Sequence, residues 1–244
     1  MHLLDLTLPT PEENLALDEA LLDDAEAAGE PRETLRLWQS DRPLVVVGRS
    51  SRLELEVNLD RTRSTGVPVL RRCSGGAAIV AGRGCLMYAV VLSYEQRPQL
   101  HLLDEAHRFV LGRLQAGLHG LGLSVDLQGT SDLVLAGRKF SGNSLRCKRT
   151  HLLYHGTLLC RDYRLGQIEE LLGTPPRQPD YRRGRSHAEF VTSLPATVDE
   201  VRSAIISAWP VQGALEEWPR ALTTELVRMR YSQASWNAGV LDRS

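Results

Sequence analysis

Between residues 123 and 159 the chain passes through four β-like segments in succession: 123–127, 132–136, 138–145 and 151–159. Ala136-Gly137, between the second and third, reads as a tight turn. Further strand signals lie upstream. Residues 34–39 (TLRLWQ) alternate like a half-buried strand, and 44–48 (LVVVG), 67–71 (VPVLR) and 86–93 (LMYAVVLS) are short apolar runs. Helical patterns are fewer. Thr10-Pro11-Glu12-Glu13 combines an N-cap threonine, a proline at the first position and a glutamate at the third, and predicts a helix to about Ala28 that stops at Gly29. A short helix is expected over 56–65. Over 101–121, Leu102, Leu103, Ala106, Phe109, Val110, Leu114 and Leu118 recur at steps of three and four, with Gly112 and Gly117 inside the pattern. Helices over 197–209 and 219–231 close the chain, after a Pro/Arg-rich loop at 174–187 (TPPRQPDYRRGRSH). Strands outnumber helices and often follow one another directly. That order favours an α+β fold, with a mixed, largely antiparallel β-sheet flanked by helices, over a doubly wound parallel sheet.

At 244 residues the chain can bury a substantial core and a small-molecule pocket. Without a repeat or low-complexity tract, it is expected to form a single domain over 1–244. A net charge of −1 gives no bulk attraction to nucleic acid or to a membrane surface. No apolar run approaches the roughly 20 residues of a membrane span, and the N-terminus lacks a secretory pattern. Cys73, Cys85, Cys147 and Cys160 are too sparse for a disulfide framework and lack metal-ligand spacing, so a cytoplasmic chain with reduced thiols is expected.

Of the 29 basic residues, only Lys139 and Lys148 are lysines, and they stand within ten positions of each other. Where the two cations are interchangeable this chain has settled on arginine. A position that stays lysine is a candidate for a compact ammonium on a flexible stem. In GRKFSGNS, alternation puts Lys139 and Ser141 on one face, with Gly142 next to permit close approach of a ligand. The run HLLYHGTLL supplies a partner strand with His155, Gly156 and Thr157 at its polar end.

A second candidate element is RRCSGG at 71–76, which joins one apolar strand to a β-like segment. Gly75 and Gly76 allow the backbone close to an anion, Ser74 adds a hydroxyl, and Arg71 or Arg72 can grip a phosphate or carboxylate. In an alternating strand only one of those arginines faces the site. A cationic clamp, a glycine loop with arginine, and Asp132 together suit an adenylate. A lysine ammonium can touch both the carbonyl and the phosphate oxygens of a mixed anhydride and so stabilise charge that develops during attack.

RRCSGGAAIV, then SDLVLAGRKFSGNSLRCKRTHLLYHGTLL, then RYSQASWN, follow an order that resembles the lipoate–protein ligase A family, which belongs with the biotin ligases and octanoyltransferases. The likeness runs from about residue 14 to 237. It implies a biotin/lipoate ligase-like catalytic domain that forms lipoyl-AMP from ATP and lipoate with magnesium, then passes the lipoyl group to a lysine of an acceptor domain. By this resemblance Lys139 is the essential lysine at the acyl phosphate. Arg72, Ser74, Gly75 and Gly76 line the lipoyl-adenylate, with Ala77 in place of the family's third glycine. Asp132 lies in the segment that handles nucleotide and metal, with Ser141 and Gly142 on the lysine strand. His155, Gly156 and Thr157 lie beside the acyl pocket. No metal site built by protein alone is expected; magnesium would arrive with ATP phosphates near Asp132. The implied partners are an acceptor of the glycine cleavage H protein or 2-oxoacid dehydrogenase acyltransferase type, and a separate polypeptide in place of the accessory C-terminal domain, which is expected to be absent.

The loop departs from the family's S-G-G-G-x-V-x-H-D-x-G-N. Here it reads SGGAAIVAGRGC, with Ala81-Gly82 for His-Asp and Cys85 for Asn, and Ser131-Asp132 replaces the usual Asn-Asp. Two alternatives stay open: an ATP-independent octanoyl or lipoyl transferase working through a cysteine thioester, and a paralogue that binds acyl-adenylate or a lipoyl domain without turnover. The octanoyltransferase branches place their cysteine just before His-Gly or upstream of the lysine strand. Here those places hold Leu152-Leu153-Tyr154 and Gln128-Gly129-Thr130-Ser131, although Cys73 and Cys85 flank the glycine loop.

Overall fold

The computed structural model describes residues 1–239. Strand β1 (His2–Asp5) leads into helix α1 (Pro11–Ala27), which returns the chain to β2 (Thr34–Gln39) beside and parallel to β1. The expected capping box forms: the Thr10 hydroxyl accepts from Glu13 N, and the Glu13 carboxylate accepts from Thr10 N. A second crossover joins β3 (Leu44–Val47) to parallel β4 (Val69–Arg71) through α2 (Leu53–Glu56) and α3 (Leu59–Thr65). The single helix expected over 56–65 is therefore two. Val57 is pulled into an extended bridge with Leu172, and the Asn58 side chain caps a fresh start by accepting from Arg61 N.

The remaining strands are β5 (Ile79–Ala81), β6 (Cys85–Ser93), β7 (Val125–Gln128), β8 (Asp132–Leu135), β9 (Arg138–Cys147) and β10 (His151–Leu159). They build two sheets. The larger has the order β1-β2-β6-β10-β9-β8-β7 and is antiparallel except at β1–β2; the smaller has the order β4-β3-β5. The mixed, mainly antiparallel sheet flanked by helices thus matches the expectation from strand order.

Helix α4 (Leu103–Gly120) packs on one face of the large sheet together with α7 (Val198–Ser207), and α1 covers the other. Between them come α5 (Gly166–Leu171) and α6 (His187–Phe190). Strand β6 explains itself on this plan. Leu86, Tyr88, Val90 and Leu92 enter the α4 core, while Ala89 and Val91 face α1. A strand covered on both faces reads as an unbroken apolar run. Gly117 does not break α4 because α7 passes close: an added Cβ would lie 2.6 Å from Ala204 O.

The C-terminal segment also differs from one continuous helix. Helix α8 (Arg220–Leu226) widens into a π-turn at Val227–Tyr231, and a separate helix α9 (Ala234–Ala238) follows. The reason lies in α1, whose buried face carries Glu19. Its carboxylate accepts from Tyr231 Oη (2.7 Å), Arg146 Nη1 (2.5 Å) and Arg230 Nη1, so the register of the turn is set by a buried ion cluster. Among the described residues no helix is long and apolar enough to cross a membrane.

Candidate active site

The glycine turn is built by the two arginines that precede it. Arg71 points away from the turn's ligand side. Its guanidinium donates to the carbonyls of Gly48 (2.6 Å), Arg49, Ser51 and Trp236, and Trp236 Nε1 donates back to Arg71 O. Arg72 takes the other side, as strand alternation requires. Its fork bonds the turn itself, and the residue lines the first cavity. Nε donates to Ser74 Oγ and Gly75 O, Nη2 to Gly75 O (2.5 Å) and Ala77 O (3.0 Å), and Nη1 to Val46 O. Burial without a paired carboxylate pulls this guanidinium down to about 10. Arg72 is the internal scaffold of the turn. Gly48 lets the turn dock, since a Cβ there would collide with the Gly76 carbonyl oxygen.

Opposite the turn stands the β9–β10 hairpin. A bulge interrupts the pairing of β8 with β9, because Leu133 faces Ser141 while Val134 faces Lys139. Phe140 is the extra residue and goes into the α4 core, so the ladder register shifts there, while Lys139 and Ser141 both line the second cavity. The bulge re-aims Lys139. Its stem crosses Gly142, where a Cβ would lie 3.0 Å from Cε and 3.1 Å from Nζ. Nζ ends 2.7 Å from Asp132 Oδ1. The second oxygen of Asp132 accepts from Tyr181 Oη at 2.8 Å, which pins the 174–187 loop to the hairpin. Ser141 is buried and exchanges hydrogen bonds with Asn143, whose amide also donates to Ser131 O (2.7 Å) and accepts from Tyr88 Oη (2.5 Å). Gly156 leaves the space that Asn143 fills; a Cβ there would meet Asn143 Oδ1 and, at 2.7 Å, Gly142 O.

His155 joins three elements. Nε2 lies 2.5 Å from Ser74 Oγ, and Nδ1 lies 3.4 Å from Asp18 Oδ2. A carboxylate only accepts, so Nδ1 donates to Asp18. Burial alone would raise the Asp18 carboxyl, but Arg36 and His155 outweigh it and hold the group below the ordinary carboxylate range. Asn14, Asp18 and Glu19 interrupt the buried face of α1, a local sign in the sequence that this helix does more than pack.

Two cavities meet at the lysine. The first, about 380 Å³, is lined by Leu15, Val46, Ile79 and Met87, with Asp18 and His155 among its polar groups. The second, about 140 Å³, is lined by Phe140, Leu159, Phe190 and Val191, with Arg182 and His187. Ala77, Lys139, Gly142, Thr157 and Arg177 belong to both. A wider cleft of about 1220 Å³ at the start of α1 contains none of the predicted site residues.

Of the predicted residues, Arg72, Gly76, Ala77, Asp132, Lys139, Gly142, His155, Gly156 and Thr157 line the first cavity, and Ser141 lines the second. Ser74 and Gly75 stand behind the wall, Ser74 under His155 and Gly75 with its carbonyl taken by Arg72 and by Ser144 Oγ (2.9 Å). Sequence reasoning missed Asp18, Gly48, Asn143, Arg177 and Tyr181. Within the Arg182–Arg185 run, Arg182 is buried, lies 5.0 Å over the Phe190 ring and lines the second cavity rather than a solvated face. Lys148 pairs with Asp23 at 2.7 Å and holds the end of the hairpin to α1. No thiol lines either cavity. Cys73, Cys85 and Cys160 are buried, with burial pushing Cys73 and Cys160 up to about 12, and exposed Cys147 sits at the end of β9.

Two cavities that share Lys139 beside a glycine turn form the candidate active site. The chain belongs to the lipoyl protein ligase A/B catalytic-domain family, whose family model matches residues 10–209. A relative in Aeropyrum pernix from the lipoate-protein ligase A group is 33% identical over 157 residues, 64% of this chain; that match spans 56% of the relative, so the chain covers about half of its length. The octanoyltransferase LipM of Geobacillus kaustophilus is 26% identical and aligns over 93% of this chain and 94% of its own. Among solved structures, the bipartite lipoate protein ligase of Thermoplasma acidophilum, described with its E2 lipoyl domain, superposes with a TM-score of 0.83 at 24% identity, covering 100% of this chain and 98% of that one. A lipoate-protein ligase A bound with ATP superposes at 0.79 with 25% identity, covering 98% and 99%.

Proposed function

We propose that this chain is the catalytic domain of an ATP-dependent lipoate–protein ligase. It forms lipoyl-AMP and pyrophosphate from lipoate and ATP, then transfers the lipoyl group to a lysine ε-amine of an acceptor domain. The observation that carries this reading is the meeting of the two cavities at Lys139. In this reading the acyl chain takes the Leu15–Val46–Met87 chamber, the phosphates lie toward Arg177 and Arg182, and the mixed anhydride falls at the ammonium. The backbone N–H groups of Gly75, Gly76 and Ala77 find no acceptor among the described residues, which leaves them for ligand oxygens. The match to an ATP-bound relative supports the same assignment.

In the first step a lipoate carboxylate oxygen attacks the α-phosphorus and pyrophosphate leaves. In the second, the acceptor amine attacks the acyl carbon, AMP leaves with the bonding pair and the amine sheds a proton. Charge builds on the carbonyl oxygen and on the departing phosphate, and an ammonium between them lowers both barriers. Among the described residues no group of three His, Cys, Asp or Glu could hold a metal ion alone. One carboxylate fits magnesium carried on phosphates, so Asp132 would be its protein ligand, and the ion would offset phosphate charge. The acceptor is proposed to be an H-protein or acyltransferase-subunit lipoyl domain, and a separate accessory polypeptide completes adenylation, as the bipartite organisation of the Thermoplasma enzyme supports.

The LipM relative makes thioester transfer the competing reading, but no thiol reaches the chambers. Incubation with ATP, magnesium, lipoate and an acceptor domain, read by intact mass, separates the two. Acceptor lipoylation strictly dependent on ATP supports ligation. Lipoylation from synthetic lipoyl-AMP alone supports a requirement for the accessory polypeptide. ATP-independent transfer from an acyl-carrier protein overturns the proposal.

A further inference from the structure

The run RYSQASWN at 230–237 takes no part in the proposed chemistry, and it lies beyond residues 10–209, which the family model matches. It nevertheless grips the support of the glycine turn at two points. Arg230 and Tyr231 bind the Glu19 carboxylate on α1, next to Asp18, which bonds His155 behind Ser74. Trp236 and Asn237 bind Arg71, which opens the turn segment. Trp236 Nε1 donates to Arg71 O at 2.9 Å, and Arg71 N donates to Asn237 Oδ1 at 3.0 Å. The Asn237 amide also donates to Tyr231 O at 2.9 Å, so the two grips are braced against each other.

Arg71 passes the constraint on. Its buried guanidinium donates only to backbone carbonyls: Trp236 (3.0 Å) and Asn237 (3.2 Å) in α9, and Gly48 (2.6 Å), Arg49 (3.2 Å) and Ser51 (3.0 Å) in the loop after β3. That loop bonds the glycine turn in its own right. Arg49 N donates to Ser74 O at 2.8 Å, and Ser51 Oγ donates to Gly76 O at 3.2 Å. A peptide unit is planar, so a fixed carbonyl fixes the N–H that follows it. Holding Ser74 O orients the Gly75 N–H, and holding Gly76 O orients the Ala77 N–H. A planar fork with three nitrogens can span α9 and the loop together; a point-like ammonium cannot.

We infer that Arg71 is a positioning residue for the acyl-adenylate, and that the 230–237 run, acting through it, aims the Gly75 and Ala77 N–H groups at ligand oxygens. The inference rests on the acyl-adenylate reading of the site. It gives the C-terminal helix a share in the site without any contact to the ligand.

The test uses the full chain with Arg71→Ala, Arg71→Lys and Asn237→Ala, and Leu114→Ala as a control that weakens the α4 core away from the turn. Folding is checked by circular dichroism and thermal unfolding. Affinity for a sulfamoyl analogue of octanoyl-AMP is measured by calorimetry, and transfer from synthetic octanoyl-AMP to a lipoyl domain by intact mass. Both Arg71 variants should bind the analogue at least about tenfold more weakly and transfer about a hundredfold more slowly, as a small misplacement of oriented donors allows. The KM for the lipoyl domain should not change. Asn237→Ala should lose affinity in the same direction by a smaller factor. Added guanidinium, but not ammonium, should restore part of the Arg71→Ala rate. Leu114→Ala should bind the analogue as wild type does, although it is less stable. Wild-type affinity and rate in the folded Arg71 and Asn237 variants would overturn the inference. So would full activity of Arg71→Lys, or an equal loss of affinity in Leu114→Ala. Should the Arg71 variants fail to fold, Asn237→Ala decides: unchanged affinity there overturns the inference. Wild type that binds the analogue while the variants bind it equally well sinks only the positioning role. Wild type that neither binds the analogue nor transfers from octanoyl-AMP sinks the ligase reading and this inference with it.

Discussion

Ser74 Oγ lies 2.5 Å from His155 Nε2, and this one bond ties the glycine turn to the second strand of the lysine hairpin. Asp18 extends the tie to α1, and Arg36 extends it to β2. Both walls of the first cavity are therefore held by one buried polar chain. Breaking it at any point should loosen the chamber before it unfolds the protein.

The acid end of that chain has a predictable pH dependence. Asp18 is held below its ordinary value in the folded state, so the stability it adds is present above the unfolded value, about 3.9, and is lost as pH falls into that range and below. Asp18→Asn leaves Arg36 buried without its counter-charge and should cost about 3 kcal/mol at neutral pH. Thermal unfolding midpoints of the two proteins should then converge as pH is lowered below about 4. A gap that stays constant or widens in acid would contradict the assignment.

Gly48→Ala tests how the turn is seated. The added methyl collides with the Gly76 carbonyl, so the turn must move or β3 must shift, at a cost of about 1–3 kcal/mol. The expected result is weaker binding of an acyl-adenylate analogue by titration calorimetry, with secondary structure intact by circular dichroism. Unchanged affinity would mean that the turn does not touch the ligand.

The thiols should be dispensable for chemistry. Cys147→Ser should leave acceptor lipoylation unchanged, and Cys73→Ser should lower stability by about 1 kcal/mol without abolishing turnover. Loss of all transfer in Cys73→Ser or Cys147→Ser, with a folded protein, would return the thioester mechanism.

Much of this was legible in the chain because its signals are local. The Thr10–Glu13 box, the Ala136-Gly137 turn and the doubly buried β6 all announce themselves within a few residues. Lys139 stood out because the chain otherwise uses arginine. The features that escaped depend on distant partners. Gly48 matters only because Gly76 arrives from the turn between β4 and β5, and Tyr181 only because Asp132 is spare at one oxygen. The family resemblance places Arg72 at the ligand; in the structure it lines the first cavity while its fork bonds its own loop, a packing detail no local signal shows. The bulge at Phe140 shows the same limit, since a strict two-residue period hides an inserted residue.

The central claim is that a point-like ammonium at position 139, where the two chambers join, is required for acyl activation and transfer. Its most direct test is the rate of acceptor-domain lipoylation from synthetic lipoyl-AMP by Lys139→Arg, with Lys148→Arg as the matched control. The account predicts that both variants fold, that Lys148→Arg keeps its bond to Asp23 and full activity, and that Lys139→Arg loses about a hundredfold or more, as expected when an electrostatic donor is misplaced at the reacting oxygens. Wild-type rates from a folded Lys139→Arg protein would contradict it.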